Sequence, residues 1–130
     1  MSLIEPEGWA RGKGYAHGVL RDGVLALSGQ VGWDQCTQTI VPGGFAAQCR
    51  QALANVAALL RTAGAQPEDL VRVTWYITDR DAYLRARAEI GAAWQEHFGR
   101  HYPAMAVVIV AGLLEPEALV EIEATAVLAA

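Results

Sequence analysis

Apolar residues recur along this chain with two different periods, and each period predicts a different kind of element. Short runs rich in β-branched residues predict strands, whereas apolar residues spaced three and four apart predict helices. The order predicts an α+β sandwich, strand-strand-helix-strand-helix-strand-strand, with both helices on one face of a mixed sheet. The predicted ranges are Tyr15–Leu20, Val24–Ser28, Phe45–Ala63, Leu70–Ile77, about 80–98, Met105–Ala111 and Leu119–Leu128.

Turn-forming residues mark the ends of the predicted elements. Asp22-Gly23 supplies the positive φ values of a tight hairpin turn between the first two strands. Gly64 and Gly99 are expected to end the two helices. The segments 1–14 and 33–44 show neither period, so the first is predicted to be an irregular arm and the second a loop.

The strands in the second half of the chain are the most apolar. In the central strand, four alternating residues are expected to share one face: Val71, Val73, Trp75 and Ile77. The last two apolar runs flank Glu115-Pro116-Glu117, which predicts a strand–turn–strand unit. Because both runs are nearly continuous in apolar residues, both faces of these strands are expected to be covered.

Two carboxylates interrupt the last apolar run. Glu121 and Glu123 are two residues apart, so they lie on the same face of one strand. Charged side chains are rarely buried unless they are paired, so this face is expected to open onto a wet cleft, a site or a polar interface between subunits. The alternative is an edge strand with two solvated glutamates.

Composition bounds the class of protein. At 130 residues, the chain is expected to form one domain, residues 1–130. Hydrophobic residues make up 53% of the chain and charged residues 18%, which is more apolar surface than one small core absorbs. We therefore expect the sheet face opposite the helices to be covered by neighbouring subunits, in a trimer or a similar ring.

Charge and cysteine content exclude several partners. Ten Lys and Arg against 14 Asp and Glu give a net charge of −4, which disfavours nucleic acid and anionic membranes as partners. Cys36 and Cys49 are too few for a disulfide framework or a zinc site, so we expect reduced thiols, no metal and a cytoplasmic location. Neither a signal peptide nor a membrane-spanning run is visible.

Several short motifs, taken in their order and spacing, resemble the Rid/YjgF family of small reactive-intermediate deaminases. These motifs are Gly14-Tyr15, Ser28-Gly29-Gln30, Asn55-Val56, Val71–Ile77 with the acidic turn after it, Pro103-Ala104 and Val120–Ala124. The resemblance implies a chorismate-mutase-like α+β fold and a homotrimer with clefts between its subunits. It also implies the hydrolysis of enamines or imines to a carbonyl compound and ammonia, with a small-molecule substrate and without metal or cofactor.

The resemblance assigns roles to three residues of this sequence. Tyr15 matches a tyrosine of the cleft, Gly29 a glycine that donates through its backbone, and Glu121 a glutamate that handles water. These three residues are the catalytic and substrate-binding candidates that agree with the family pattern.

Three other positions depart from that pattern. Met105 stands where the deaminases have an arginine that holds the substrate carboxylate, and a thioether cannot replace a bidentate guanidinium. Val107 stands where a cysteine is common, and Arg87 or Ala88 aligns with an asparagine of the second helix. The usual substrates of the 2-aminoacrylate type are therefore not expected here, although Arg11, Arg72 or Arg87 could supply another anchor.

The carboxylate pair itself suits imine hydrolysis. The reaction needs water delivered to an electrophilic carbon and a proton for the departing amine, and one carboxylate can do both. Each carboxylate raises the pKa of the other, and apolar surroundings raise the pKa of both, so Glu121 could work near neutral pH. Glu123 is either its charged partner or an interface residue that pairs with an arginine of a neighbour.

The histidines carry weaker signals. His17 shares a strand face with Tyr15, so it is either a proton shuttle in the same cleft or a satisfied structural residue. His97 and His101 flank the end of the second helix, where a positive charge suits the helix dipole.

Three hypotheses on function follow. In the first, the chain is a cofactor-free hydrolase of an enamine or imine. In the second, it is a trimer of the same fold that binds a ligand or a protein and catalyses no hydrolysis. A ribonuclease or translation inhibitor, a role attached to some relatives of the family, is disfavoured by the acidic charge balance.

Overall fold

A computed structural model describes residues 1–129 as a six-stranded mixed sheet with three α-helices packed on one of its faces. The α+β prediction is confirmed. The strands are β1 (Ser2–Ile4), β2 (Gly18–Arg21), β3 (Val24–Val31), β4 (Trp33–Asp34), β5 (Thr39–Ile40), β6 (Leu70–Ile77), β7 (Ala104–Ile109) and β8 (Val120–Val127). The helices are α1 (Phe45–Ala63), α2 (Arg80–Arg85) and α3 (Arg87–Phe98), and a 3₁₀ turn spans Pro67–Asp69.

The six strands are ordered β1-β2-β3-β8-β6-β7, and only the β6–β7 pair is parallel. The prediction of a strand–turn–strand unit at the end of the chain is therefore wrong, because β6 lies between β7 and β8. The helices α2 and α3 form a crossover that returns the chain beside β6 in the parallel direction. β8 then pairs with the other side of β6.

Short elements were missed in the segments predicted to be irregular. β1 lies in the predicted arm, and the β4–β5 hairpin lies in the predicted loop 33–44. Strands of two and three residues are too short to show a period. The tight turn is confirmed, since Asp22 and Gly23 have φ values of 51° and 79°. The second helix is broken at Ala86 rather than continuous to Phe98.

The long helix α1 is hydrogen-bonded to the end of β3 and to the segment before β8. It ends as predicted at Gly64, which has φ 77° and donates its backbone N–H to Arg61 and Leu60. Two polar residues on its buried face bind the sheet. Asn55 Nδ2 donates to the carbonyls of Val31 and Trp33 at 3.2 and 2.9 Å.

The second polar residue is Gln48, which sequence analysis did not place on the buried face. Its Nε2 donates to the carbonyl of Glu117 at 3.2 Å, and its Oε1 accepts from the backbone N–H of Leu119 at 2.8 Å. The helix thus holds the end of β3 through Asn55 and the residues before β8 through Gln48.

An irregularity in β6 changes which side chains point inward. Leu70 pairs with Ala126 while Arg72 pairs with Thr125, so one extra residue lies between the two pairs. Val71 is 45% exposed, whereas Leu70 and Val73 are buried. The prediction that Val71 shares a face with Val73 is therefore wrong, although Trp75 and Ile77 are buried as predicted.

One face of the sheet carries no helix from the described part of the chain, and we call it the open face. In β8 buried Ile122 and Ala124 alternate with half-buried Glu121 and Glu123 on the open face, so the two glutamates share a face as predicted. The expectation that both faces of the last strands are covered does not hold within this chain. Four apolar side chains of the edge strand β7 are exposed: Met105, Val107, Val108 and Ile109. Among the described residues, no helix is both long enough and apolar enough to cross a membrane.

We predict that copies of this chain cover the exposed apolar side chains of β7. Sedimentation equilibrium at micromolar concentration is expected to give three times the chain mass of 13.9 kDa. Val108→Lys on β7 should shift the protein towards monomer, because a charge would be buried in the interface. Leu3→Lys, which alters a 56% exposed residue on the opposite edge of the sheet, is the control and should leave the mass unchanged. A wild-type mass of one chain would contradict the prediction.

Candidate functional site

A cavity of about 390 Å³ lies between the arm before β2, the end of β3, the β4–β5 hairpin and the start of β8. It brings together four of the predicted site residues, Tyr15, His17, Gly29 and Glu121. The other lining residues are Ala10, Arg11, Gln30, Val31, Trp33, Gln35, Gln38, Leu114 and Glu115. Most of these could not be identified from the sequence, because they come from strand ends, short strands and loops that show no period.

The contact between Glu121 and Gly29 is the tightest feature of this cavity. A Cβ atom at Gly29 would lie 2.5 Å from Oε2 of Glu121 and 2.6 Å from its carboxyl carbon. The carboxylate therefore lies over the Cα of Gly29, and only glycine leaves room for it. The group that approaches the backbone of Gly29 closely is therefore the side chain of Glu121.

The pairing of β3 with β8 explains how this contact arises. Leu27 pairs with Ala124 and Gln30 with Ile122, so Ser28 and Gly29 together oppose Glu123. Two residues opposite one form a β-bulge, which bends the strand and redirects its side chains.

The surroundings of Glu121 favour its protonated form. Burial raises the pKa of its carboxyl group above the ordinary range, and the charge of Glu123 raises it further. No Lys or Arg of residues 1–129 pairs with Glu121 to oppose these effects. A carboxyl group in this state can exchange a proton closer to neutral pH than an exposed glutamate can.

Glu123 has a partner within its own chain. The hydroxyl of Tyr76 donates to Oε1 of Glu123 at 2.5 Å, and this hydrogen bond is the main reason that the pKa of Tyr76 is raised. Sequence analysis missed Tyr76, although its position between the inward residues Trp75 and Ile77 predicts that it points to the open face. Pairing of Glu123 with an arginine of a neighbour stays a prediction.

His17 lines the cavity and also binds the arm. Its Nε2 is 2.8 Å from the carbonyl oxygen of Ala10, which can only accept, so Nε2 carries the proton. Its ring meets Trp9 and Tyr15 edge-on, at centroid distances of 5.2 and 5.7 Å. Nδ1 is buried and has no hydrogen-bond partner within residues 1–129. The structure thus places His17 in the cleft with one nitrogen occupied.

The ring of Tyr15 packs against the arm before β2. A Cβ atom at Gly12 would lie 2.7 Å from Cε2 of Tyr15, so the ring packs directly on the Cα of Gly12. Tyr15 nevertheless remains 59% exposed and lines the cavity.

Three predicted substrate-binding residues do not line this cavity. Met105 and Val107 pair with Val73 and Trp75 on the edge strand β7, and each is 40% exposed. Arg87 is exposed at the start of α3, where its Nε donates to the carbonyl of Leu84 at 3.3 Å. Within one chain, these three residues therefore lie outside the cavity.

The three arginines proposed as replacement anchors lie in different places. Arg11 lines the cavity with Glu121. Arg72 lies instead on the open face, where it lines a separate cavity of about 190 Å³ with Glu123. Arg11 is therefore the only one of the three that the fold brings to Tyr15 and Gly29.

The two cysteines lie in different environments, and neither belongs to a group of metal ligands within residues 1–129. Within residues 1–129, no group of three or more His, Cys, Asp and Glu side chains is arranged to hold a metal ion. Burial raises the pKa of Cys49 to about 12, so this thiol stays protonated and is a poor nucleophile. Cys36 is exposed.

Comparison with known proteins gives consistent results. The sequence model of a family described as endoribonuclease L-PSP matches residues 9–128. The 2-iminobutanoate/2-iminopropanoate deaminase of Bos taurus is 34% identical over 113 residues, which are 87% of this chain and 79% of that protein. A RutC family protein of Pyrococcus horikoshii is 34% identical over 112 residues, covering 86% of this chain and 85% of that one. The crystal structure of the YjgF gene product of E. coli has a TM-score of 0.87 and 32% identity, and the match covers 98% of each chain.

We predict that Glu121 titrates above the ordinary range of a glutamate in an NMR titration of its carboxyl carbon. Glu123→Gln should lower the pKa of Glu121 without returning it to that range, because burial remains. Since the folded chain holds this proton more tightly than the unfolded chain, the contribution of Glu121 to stability falls as pH rises between the two pKa values. Glu121→Gln should remove this part of the pH dependence in urea unfolding. An ordinary pKa for Glu121 would contradict the prediction.

Proposed function

The chain belongs to the endoribonuclease L-PSP family, also called Rid/YjgF, and from this we propose that it hydrolyses an enamine or imine to a carbonyl compound and ammonia. The observation that carries the proposal is the half-buried carboxylate of Glu121 over Gly29, in a cavity that Tyr15 also lines. Relatives named as imine deaminases, at about one third identity, support the same class of reaction. We propose that the reaction needs neither metal nor cofactor.

In this proposal Glu121 acts as both base and acid. In its ionised form it accepts a proton from water while the oxygen of that water bonds to the carbon of the C=N group. When the imine is protonated, this addition gives a neutral carbinolamine, which takes the proton from Glu121 at nitrogen; the C–N bond then breaks and ammonia leaves. As the C=O bond forms, ionised Glu121 accepts the proton of the hydroxyl group and passes it to ammonia, which returns Glu121 to its ionised form. The raised pKa of Glu121 suits both steps, because the group gains and loses a proton closer to neutral pH than an exposed glutamate does. Tyr15 is proposed to orient the substrate through its hydroxyl.

We propose that the substrate differs from the small 2-aminoacrylate type. Met105 offers no charge-assisted hydrogen bond to a carboxylate, and Val107 next along the same strand face is apolar as well. In the proposed trimer, the β7 strand of one copy would lie beside the cavity of another. Met105, Val107 and Arg87 would then complete the substrate-binding surface from the neighbouring subunit.

A non-catalytic trimer that binds a ligand or a protein is the second candidate. The exposed apolar side chains of β7, including Val108 and Ile109, favour it because such surfaces are typical of interaction sites. A ribonuclease is disfavoured, since the chain has a net charge of −4 and its cavity carries Glu115 and Glu121.

The variants Glu121→Gln and Glu123→Gln distinguish a catalytic role from a role in stability or assembly. Glu121→Gln preserves the shape of the side chain but removes the base, so it should leave the assembly intact and abolish hydrolysis. Glu123→Gln leaves that base in place, so it should act mainly on stability or assembly through the lost charge beside Tyr76. Ammonia release from a panel of imines generated in situ, together with sedimentation, measures both effects.

The opposite pattern, with activity lost only in Glu123→Gln, would show that the two roles are reversed. If neither variant changes any turnover, the binding trimer becomes the better description.

Met105→Arg tests the substrate class. The new guanidinium should raise activity on 2-aminoacrylate-type intermediates by roughly a hundredfold, equivalent to about 2–4 kcal/mol of transition-state binding. The readout is pyruvate release beside a threonine dehydratase. Met105→Gln is the control, since it adds polarity without charge and should gain little. A folded Met105→Arg variant without any gain would show that more than this residue determines the substrate.

A further inference from the structure

We propose that Arg11 forms an anion-binding subsite of the cavity, and that the ligand it holds carries a carboxylate remote from its reacting carbon. The inference that the carboxylate is remote from the reacting carbon rests on the proposed function. The anion subsite itself rests on the structure of the arm.

The charges that line the cavity are unevenly distributed. Arg11 is the only arginine or lysine among the described lining residues, and Glu115 and Glu121 carry the acidic groups. An anionic group on a ligand is repelled by ionised Glu121 and attracted by Arg11. A ligand with one carboxylate is therefore oriented with its uncharged end towards Glu121 and Gly29.

The backbone on both sides of Arg11 is anchored to the cavity. On one side, the carbonyl of Ala10 accepts from Nε2 of His17 at 2.8 Å. On the other, Gly12 packs against the ring of Tyr15, with no room for a Cβ atom. The Cα of Arg11 is thus held beside two residues of the site, while its side chain is 85% exposed and free to reorient.

The present partner of Arg11 is easily displaced. Its Nε lies 3.3 Å from Oε2 of Glu5, whose side chain is 33% exposed. Exposed ion pairs of this kind contribute little to stability, so a ligand carboxylate that accepts two hydrogen bonds from the guanidinium competes well with Glu5. Glu5 then acts as a competitor that keeps the subsite closed when no ligand is bound.

The size of the cavity bears on the length of the ligand. Its volume of about 390 Å³ lies in the range of ordinary small-molecule pockets and exceeds the needs of a three-carbon acid. An imine of a longer oxo acid, with several carbons between carboxylate and imine, fits this volume and places the carboxylate at Arg11 rather than beside Glu121. This is the substrate class that the subsite implies.

Binding of a stable oxo acid tests the subsite without any turnover. The probes are 4-oxopentanoate and its methyl ester, which share a carbon skeleton and differ in charge. Their dissociation constants are measured by NMR titration for wild type, Arg11→Gln, Lys13→Gln and Glu5→Gln. Lys13 is the matched control, because it lies two residues along the same arm, carries the same charge and does not line the cavity.

Arg11→Gln should weaken binding of 4-oxopentanoate about tenfold or more and leave the ester unchanged, as expected for loss of a charged hydrogen bond. Lys13→Gln should change neither constant by more than about twofold, because exposed charges are screened by salt. Glu5→Gln should tighten binding of the acid alone, by releasing Arg11.

Three results would overturn the proposal. Equal losses of affinity for 4-oxopentanoate in Arg11→Gln and Lys13→Gln would indicate a general electrostatic effect of the arm rather than a subsite at Arg11. Equal losses for acid and ester would give Arg11 a structural role. Failure of the acid to bind the wild-type protein would exclude the subsite directly. An intact Arg11 effect without any imine turnover would instead support the subsite and count against the proposed function.

Discussion

The contact between the Glu121 carboxylate and the Cα of Gly29 is the constraint on which the cavity depends. It requires a bulge in β3, where Ser28 and Gly29 oppose Glu123, and it requires that residue 29 lack a Cβ atom. It also places a carboxyl group in a half-buried position without a cationic partner among residues 1–129, so that burial and Glu123 raise its pKa. The bulge in β3, the glycine at position 29 and the raised pKa of Glu121 are therefore linked through one packing contact.

Much of the fold could be predicted from local patterns. The α+β order, the Asp22-Gly23 turn and the end of α1 at Gly64 follow from residue type and period, and the structure confirms them. The place of β7 could not be predicted, because two apolar runs near one another in sequence do not show that β6 separates them. The exposure of Val71 depends on a bulge, which leaves no mark in the alternation of apolar residues.

The site was predictable only in part, for a different physical reason. Glu121, Gly29 and Tyr15 could be identified because a strand period, a glycine and a motif mark them. Gln35, Gln38 and Leu114 enter the cavity through loops whose positions depend on long-range packing. Tyr76 was detectable from its phase in β6, but only the structure shows that its hydroxyl reaches Glu123.

The two buried amides of α1 have a consequence for how the cavity can respond to ligands. Asn55 holds the β3–β4 corner and Gln48 holds the segment before β8, and seven residues of one helix separate them. An α-helix rises 1.5 Å per residue, so the two attachment points stay about 10 Å apart along its axis. Two walls of the cavity therefore move as one rigid body with α1. The segment that carries Arg11 is held to the cavity by the exposed hydrogen bond at Ala10 and by the packing of Gly12 on Tyr15, and neither contact involves α1. Adaptation to ligands of different length therefore falls to this segment.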